Sequence, residues 1–227
     1  PAALSTSQAT LRPLRVQLTP LLEPSWLPKL HACSEYLTLS NLLIEVRETS
    51  ELDLQSADLI IRTSADLEAE QAGTYLGAER FALVVNPENP IVSLSQEEAI
   101  ALLSGAYAQW KEVPSSAASA QAFDQPVKLV FLVDQDLDAF LSTAFPSLEI
   151  SPSMGEKAYS VEMAQQLIAE TPGAIGLLPA SALTPALKEV QLFDASNQLI
   201  TWQLHVLGLT PIEPVGDMLQ LLLCLQR

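Results

Sequence analysis

Residues 79–113 read ERFALVVNPENPIVSLSQEEAIALLSGAYAQWKEV, and this stretch contains the clearest signals of secondary structure in the chain. A buried strand, RFALVVN, ends where Pro87 removes an amide donor and biases the preceding residue toward extended geometry. A helix is expected between Ser93 or Ser95 and Ser104-Gly105, with a hydroxyl cap, acidic residues in its first turn and a glycine after its end. The stretch therefore predicts a strand, a tight turn and a capped helix.

The same alternation of strand and helix signals runs along the rest of the chain. Apolar and β-branched runs predict strands, and amphipathic runs bounded by caps or glycine predict helices. The strand runs are LRVQL, NLLIEVRET, SADLIIRTS, VKLVFLV, AIGLLPASAL, EVQLF and LHVLGL, and the helix runs are SWLPKLHACSEYL, DQDLDAFLSTAF, SVEMAQQLIAETPG and VGDMLQLLLCLQ. This alternation indicates an α/β fold with largely parallel sheets, in which a ligand meets the carboxyl ends of the strands.

Length and charge limit the function classes. A chain of 227 residues with 48% hydrophobic content can build one large core or two small ones. Its formal charge of -16 repels phosphate backbones and anionic lipid, so nucleic acid is not an expected partner. No apolar run reaches the roughly 18 residues of a membrane helix, and we expect a soluble protein. Because the chain begins at Pro1, we expect a processed form with a tether over residues 1–13 and any targeting signal or lipid anchor upstream.

Two blocks of sequence resemble a known family. The stretch at 79–113 resembles phosphate-binding-protein-like members of the type 2 periplasmic (solute) binding superfamily, in which a hinge strand ends in Asn-Pro and a Ser-Leu helix, a Ser-Gly turn and an aromatic segment follow. TPGAIGLLPASAL, residues 171–183, is similar to the Pro-Gly-Ala-Ile-Gly-Tyr segment of that family. The resemblance implies two α/β lobes, each a mainly parallel sheet flanked by helices, with a small-molecule ligand between them.

The resemblance also implies a domain organisation and partners. Lobe 1 is expected over residues 14–84 plus 190–227, and lobe 2 over residues 85–189. The implied role is an extracytoplasmic (periplasmic or cell-surface) component that delivers its ligand to the membrane subunits of an ABC importer, as a monomer. Within the motifs, we expect Trp110 and Ile175 to pack in the interior rather than to contact the ligand.

Three places correspond to the oxyanion contacts of the family, which lie at helix starts where free amides hold the anion. The first is the turn after the opening strand, the second is the RTSAD segment at the end of another strand, and the third follows VKLVFLV. The predicted ligand-binding residues are Thr19, Arg62, Thr63, Ser64, Asp134 and Gln135.

The third place departs from the family pattern. Where the phosphate binders carry a Ser-Gly-Thr type loop, this chain reads DQDLDAF. Asp134 or Asp136 is expected to cap its own helix and so to fill the amides that would hold an anion. A carboxylate about 4 Å from a phosphate oxygen costs on the order of a few kcal/mol. We therefore expect a ligand other than phosphate or an altered anion preference. The alternative is a ligand-free fold that acts as a cell-surface sensor or protein-interaction module.

Other chemistries find little support in the sequence. Asp134, Asp136 and Asp138 have the opening spacing of a calcium loop, but no glycine stands at its sixth position and Phe145 occupies its twelfth. The sequence supplies no opposing side of an active site for a glycosidase-like carboxylate pair. Neither histidine has further metal ligands at a recognisable spacing. We expect no metal, no cofactor and no enzymatic activity.

Cys33 and Cys224 are the two cysteines of the chain. A bridge between them requires an oxidising compartment and two helices that pack together. Two unpaired, buried cysteines that behave as small hydrophobic residues are the preferred expectation.

Overall fold

The computed structural model describes residues 12–64, 73–114, 123–144 and 155–227. Most of the predicted tether, most of the loop that precedes VKLVFLV, and Phe145 lie outside these ranges. Within them the helices are α1 Glu23–Ser34, α2 Gln96–Leu103, α3 Gln135–Ala144, α4 Val161–Glu170 and α5 Gly216–Leu225. The strands are β1 Leu14–Leu18, β2 Leu42–Val46, β3 Leu59–Ser64, β4 Thr74–Val85, β5 Ser93–Ser95, β6 Lys128–Leu132, β7 Gly155–Ala158, β8 Ala174–Pro179, β9 Lys188–Phe193, β10 Leu199–Ile200 and β11 Trp202–Leu209.

The described strands form one curled sheet with the path β2-β1-β3-β11-β4-β8-β6-β7. At one end β1 pairs in parallel with β2 and β3, and at the other β6 pairs in parallel with β7 and β8. The long strands β4 and β11 pair antiparallel between these two groups. The predicted α/β class is confirmed, and the strands at each end of the sheet are parallel. Over the whole described sheet the pairing is mixed, because β4 pairs antiparallel with β8, β9 and β11.

The buried side chains form two hydrophobic cores. The first core joins β1 and β3 to α1 and α5, and includes Val16, Trp26, Ile61 and Leu221. The second core joins β6 and β8 to α2, α3 and α4, and includes Leu83, Leu102, Trp110, Leu137 and Ile168. Strand β4 contributes to both, so the architecture is two-lobed. The exact lobe boundary at residues 84 and 190 stays a prediction.

Residues 79–113 have the predicted local structure. The Ser95 hydroxyl accepts a hydrogen bond from the Glu98 amide (3.2 Å), and the Glu98 carboxylate accepts one from the Ser95 amide (2.9 Å). This reciprocal cap begins α2. After the helix, Gly105 has a φ of 74°, which a residue with a side chain rarely adopts. The capped start and the glycine stop are confirmed.

Two polar side chains connect the family-like blocks. The Asn86 amide donates to the carbonyl oxygens of Ile168 (3.2 Å) and Ala169 (2.7 Å) near the end of α4. The fully buried Trp110 donates from its indole nitrogen to the carbonyl oxygen of Gly173 (2.9 Å). These bonds hold the turn before α2 against the end of α4, and the segment after α2 against the turn before β8. The expectation that Trp110 packs in the interior is confirmed.

The cysteines form a disulfide bond, so the preference for unpaired thiols is wrong. Cys33 near the end of α1 and Cys224 near the end of α5 are joined with a Cα–Cα distance of 5.8 Å. They are 191 residues apart in sequence. Local patterning shows that each cysteine lies on a helix, but only the packing of the first helix against the last brings the two together.

Candidate ligand-binding cleft

The cleft begins where three neighbouring parallel strands end. Strands β2, β1 and β3 lie side by side, so their carboxyl ends meet at one edge of the sheet. A 3-10 turn, Thr49–Glu51, follows β2, Thr19 follows β1, and Arg62 and Thr63 stand near the end of β3. Helix α3 of the second core packs against both β3 and the turn at Thr49–Glu51. The predicted second and third places therefore come together.

Asp136 of α3 binds across this junction. Its carboxylate accepts hydrogen bonds from both Nε (3.1 Å) and Nη2 of Arg62, which form a two-point ion pair. The Thr63 hydroxyl donates to the same carboxylate at 3.3 Å. The Asp136 side chain is 6% exposed, whereas that of Arg62 is 34% exposed. The guanidinium that was predicted to meet a ligand thus binds a carboxylate of the protein itself.

Asp134 caps the start of α3. Its carboxylate oxygen accepts hydrogen bonds from the amides of Asp136 (2.9 Å) and Leu137 (3.0 Å). The capping role that the sequence left open between two aspartates belongs to Asp134. Burial raises the pKa of the Asp134 carboxyl to about 6, against the bond from the Leu137 amide, and the charge of Asp136 adds to the rise. Two amides at this helix start are therefore taken.

Two threonine hydroxyls at the strand ends have no hydrogen-bond partner among the described residues. The Thr19 side chain is fully buried, and its hydroxyl oxygen and that of Thr49 are both inaccessible to solvent. Buried polar groups in native proteins are nearly always paired with protein, water or ligand. The described residues thus leave the hydrogen-bonding capacity of these two hydroxyls unused.

The remaining predicted contacts are less central. Gln135 is the first residue of α3 and is exposed. Ser64 is the last residue of β3, and its side chain is outside what the structure describes. Sequence reasoning missed Thr49 and the role of Asp136. Thr19 directly follows β1, whereas Thr49 begins the turn after β2, so a threonine in the turn after a strand was the available signal.

Glu79 of β4 lies between the two cores. Its carboxylate is 6% exposed and accepts hydrogen bonds from the hydroxyls of Ser25 (2.8 Å) and Ser181 (2.8 Å). Ser25 belongs to α1 beside the first core, and Ser181 belongs to the 3-10 turn Ala180–Ala182, which packs on the second core. One buried carboxylate therefore connects elements of both lobes.

The helix starts around this junction are acidic. Glu23 is the first residue of α1, and Glu162 lies in the first turn of α4. Burial raises the pKa of Glu23, and the negative charge of Glu162 raises it further. Two carboxylates thus repel one another between helices of different lobes. This charge distribution disfavours an anionic guest.

A separate cavity lies on the strands that join the lobes. It has a volume of about 240 Å³ and is lined by residues of β4, β9 and β10. Its two charged side chains, Arg80 and Glu189, form an ion pair with each other. Among the described residues, no three histidine, cysteine or acidic side chains come together as metal ligands, and no helix is long and apolar enough to cross a membrane.

Solved structures with the same architecture decide the fold. A putative phosphate ABC transporter substrate-binding protein with bound phosphate from Clostridium perfringens superposes with a TM-score of 0.73 at 14% identity, over 93% of this chain and 91% of that one. An ABC-type phosphate transport receptor from Vibrio cholerae gives a TM-score of 0.67 at 13% identity, over 94% and 93% of the two chains. This chain has the type 2 periplasmic-binding-protein fold.

Regulatory domains share the type 2 periplasmic-binding-protein fold. The reduced OxyR regulatory domain from Pseudomonas aeruginosa superposes on this chain with a TM-score of 0.61 at 16% identity, over 95% of this chain and 98% of that one. No protein-family model and no curated protein sequence matches the chain. The likenesses therefore establish the fold, and they include both binding proteins and regulatory domains.

Proposed function

We propose that the chain is an extracytoplasmic solute-binding protein of the kind that serves ABC-type importers, with an anion site that no longer accepts phosphate in the manner of its structural relatives. The observation that carries this proposal is the cap at α3. The Asp134 carboxylate occupies two amides that an oxyanion would need. A phosphate at this helix start would face that carboxylate and the one at Asp136.

Two further observations support this function. The hydroxyls of Thr19 and Thr49 lie at strand ends without partners among the described residues, and a small polar ligand would satisfy them. The disulfide between Cys33 and Cys224 is typical of an oxidising compartment and supports an extracytoplasmic location. The expected partners are a small ligand with hydroxyl-binding groups and the membrane subunits of an importer.

A thermal-shift panel tests the proposal. The full chain is freed of carried-over ligand by unfolding and refolding, and anions, amino acids and metal ions are then added singly. A ligand at 100 times its dissociation constant stabilises the folded state by about 2.7 kcal/mol. We expect a shift with a small polar compound and none with phosphate. A phosphate shift of the wild-type chain would contradict the proposal.

The second candidate function is a ligand-free sensor or protein-interaction module. The specific observation in its favour is that Asp136 already binds Arg62 and Thr63, so side chains of the protein fill part of the cleft. Solution scattering separates the two functions. A ligand-dependent change in the radius of gyration supports the solute-binding protein, and a constant radius with every compound supports the module.

A further inference from the structure

We propose that Asp136 acts as a built-in substitute for an anionic ligand: its carboxylate holds the two lobes together through Arg62 and Thr63, and thereby determines which ligands the cleft admits. The inference rests on the proposed function only in treating the space between the cores as a ligand cleft. It concerns a specificity-determining residue, because the group that binds Arg62 decides whether that guanidinium is free for an external anion.

The first step is that the contact joins the two lobes. Asp136 stands on α3, whose Leu137 and Leu141 belong to the second core. Arg62 stands on β3, whose Leu59 and Ile61 belong to the first core. A ligand of a two-lobed binding protein makes the same kind of connection, because it contacts both lobes at once. Asp136 makes this connection without a ligand.

Asp136 competes with any free anion for Arg62. A carboxylate attached to the protein acts on Arg62 at the high effective concentration of an intramolecular partner. Asp136 accepts two hydrogen bonds from the Arg62 guanidinium, and an external oxyanion would accept the same two bonds. A free anion must therefore displace Asp136 and then remain beside its charge. Neutral and cationic ligands do not meet this obstacle.

The third step is that a second contact closes the same junction. Glu79 accepts hydrogen bonds from Ser25 beside the first core and from Ser181 beside the second. The repulsion between Glu23 and Glu162 acts in the opposite direction. Contacts of the protein with itself thus join the two lobes, and the ion pair between Asp136 and Arg62 is the one that also blocks an anion.

The test compares D136N with D138N in the full chain. Asp138 lies on the same helix and is exposed, so its change to asparagine removes the same charge without removing the contact to Arg62. Solution scattering measures the lobe arrangement, and calorimetric titration measures binding of sulfate and of phosphate. We expect D136N to show a larger radius of gyration and an anion affinity on the order of tenfold or more above wild type. D138N is expected to match wild type in both.

Two further variants, R62Q/D136N and R62Q, test whether Arg62 is the group that binds the anion. The double variant R62Q/D136N is expected to lose the anion affinity that D136N gains, because the guanidinium is then absent. R62Q alone removes the same contact without any change in α3 and is also expected to open the lobes. R62Q therefore tests the proposal even if D136N does not fold. An unchanged radius of gyration in both D136N and R62Q, or tight phosphate binding by wild type with the contact intact, would overturn the inference. Failure of the thermal-shift panel to find a ligand would affect the proposed function and leave these outcomes unchanged.

Discussion

At the residue scale, the contact between Arg62 and Asp136 carries the account of the cleft. The pair is partly buried and hydrogen-bonded at two points, so its members are expected to be energetically coupled. A double-mutant cycle with R62Q and D136N should give a coupling free energy of about 1–3 kcal/mol in urea unfolding. The same cycle between R62Q and D138N serves as the control and should give about zero. Additive effects of R62Q and D136N would show that the contact contributes nothing in solution.

Asp134 gives a second prediction at this scale. Its folded-state pKa of about 6 lies above its ordinary value of 3.8, so between these values the folded protein binds more protons than the unfolded protein. This group therefore lowers stability as pH rises from about 4 to about 6. D134N keeps a side chain that caps well and cannot ionise. Its melting temperature should exceed that of wild type at pH 7, and the difference should disappear near pH 4.

The control for this prediction is D138N, measured at the same pH values. Partial burial also raises the pKa of Asp138, but Asp138 is more exposed than Asp134, so its effect should be smaller. Melting curves of wild type and D134N that stay parallel from pH 4 to pH 7 would contradict the assignment of this pH dependence to Asp134.

Gly173 gives a third residue-scale prediction. A Cβ at this position would lie 2.1 Å from the carbonyl oxygen of Pro126, which is backbone and cannot move alone. G173A should lower the free energy of unfolding by about 1–3 kcal/mol. G208A is the matched control, because its Cβ would meet only the flexible ends of leucine side chains at 3.0–3.2 Å. An equal effect of the two substitutions would show that the backbone contact at Gly173 does not determine the cost.

At the element scale, the disulfide between α1 and α5 yields a prediction. It closes a span of 191 residues and ties the first helix to the last. Removing a native disulfide typically costs about 2–5 kcal/mol, chiefly by freeing the unfolded chain. C33S/C224S should show this loss in urea unfolding, and a reducing agent should destabilise wild type but not the variant. Equal sensitivity of both proteins to the reductant would contradict the bond.

Local signals identified the main helices and strands because caps, glycines and apolar periods act within a few residues. The first strand, Leu14–Leu18, and a hydroxyl cap at one of the two expected serines, Ser95, are confirmed directly. Helix α1 begins earlier than expected, at Glu23, with a proline in its first turn. The short strands β5, β7 and β10 were missed, since two to four residues contain too little pattern to read.

The cleft could be predicted only in part for the same physical reason. Residues at strand ends, such as Arg62 and Thr63, follow from sequence order because parallel strands place their carboxyl ends at one edge. The contact of Asp136 with Arg62 spans 74 residues and depends on how the lobes meet. Capping uses only neighbouring amides, so the sequence suggested that role for either aspartate. Distinguishing the cap from the contact across the cleft required the fold.

At the scale of the whole molecule, acidic side chains of the chain make contacts between the two lobes of the type 2 periplasmic-binding-protein fold. Asp136 binds the guanidinium, Asp134 occupies helix amides, and Glu79 connects hydroxyls from both lobes. Structural relatives of this fold include a protein with bound phosphate. In this chain, side chains of the protein itself, Asp136 and Glu79, connect the two lobes.

The most direct test of this claim is a crystal structure of the full chain grown with phosphate in large excess. We expect Asp136 to remain bound to Arg62 and Thr63, Asp134 to accept hydrogen bonds from the amides of Asp136 and Leu137, and no phosphate to lie at the start of α3. Phosphate held by those amides, with Asp136 turned away from Arg62, would contradict it.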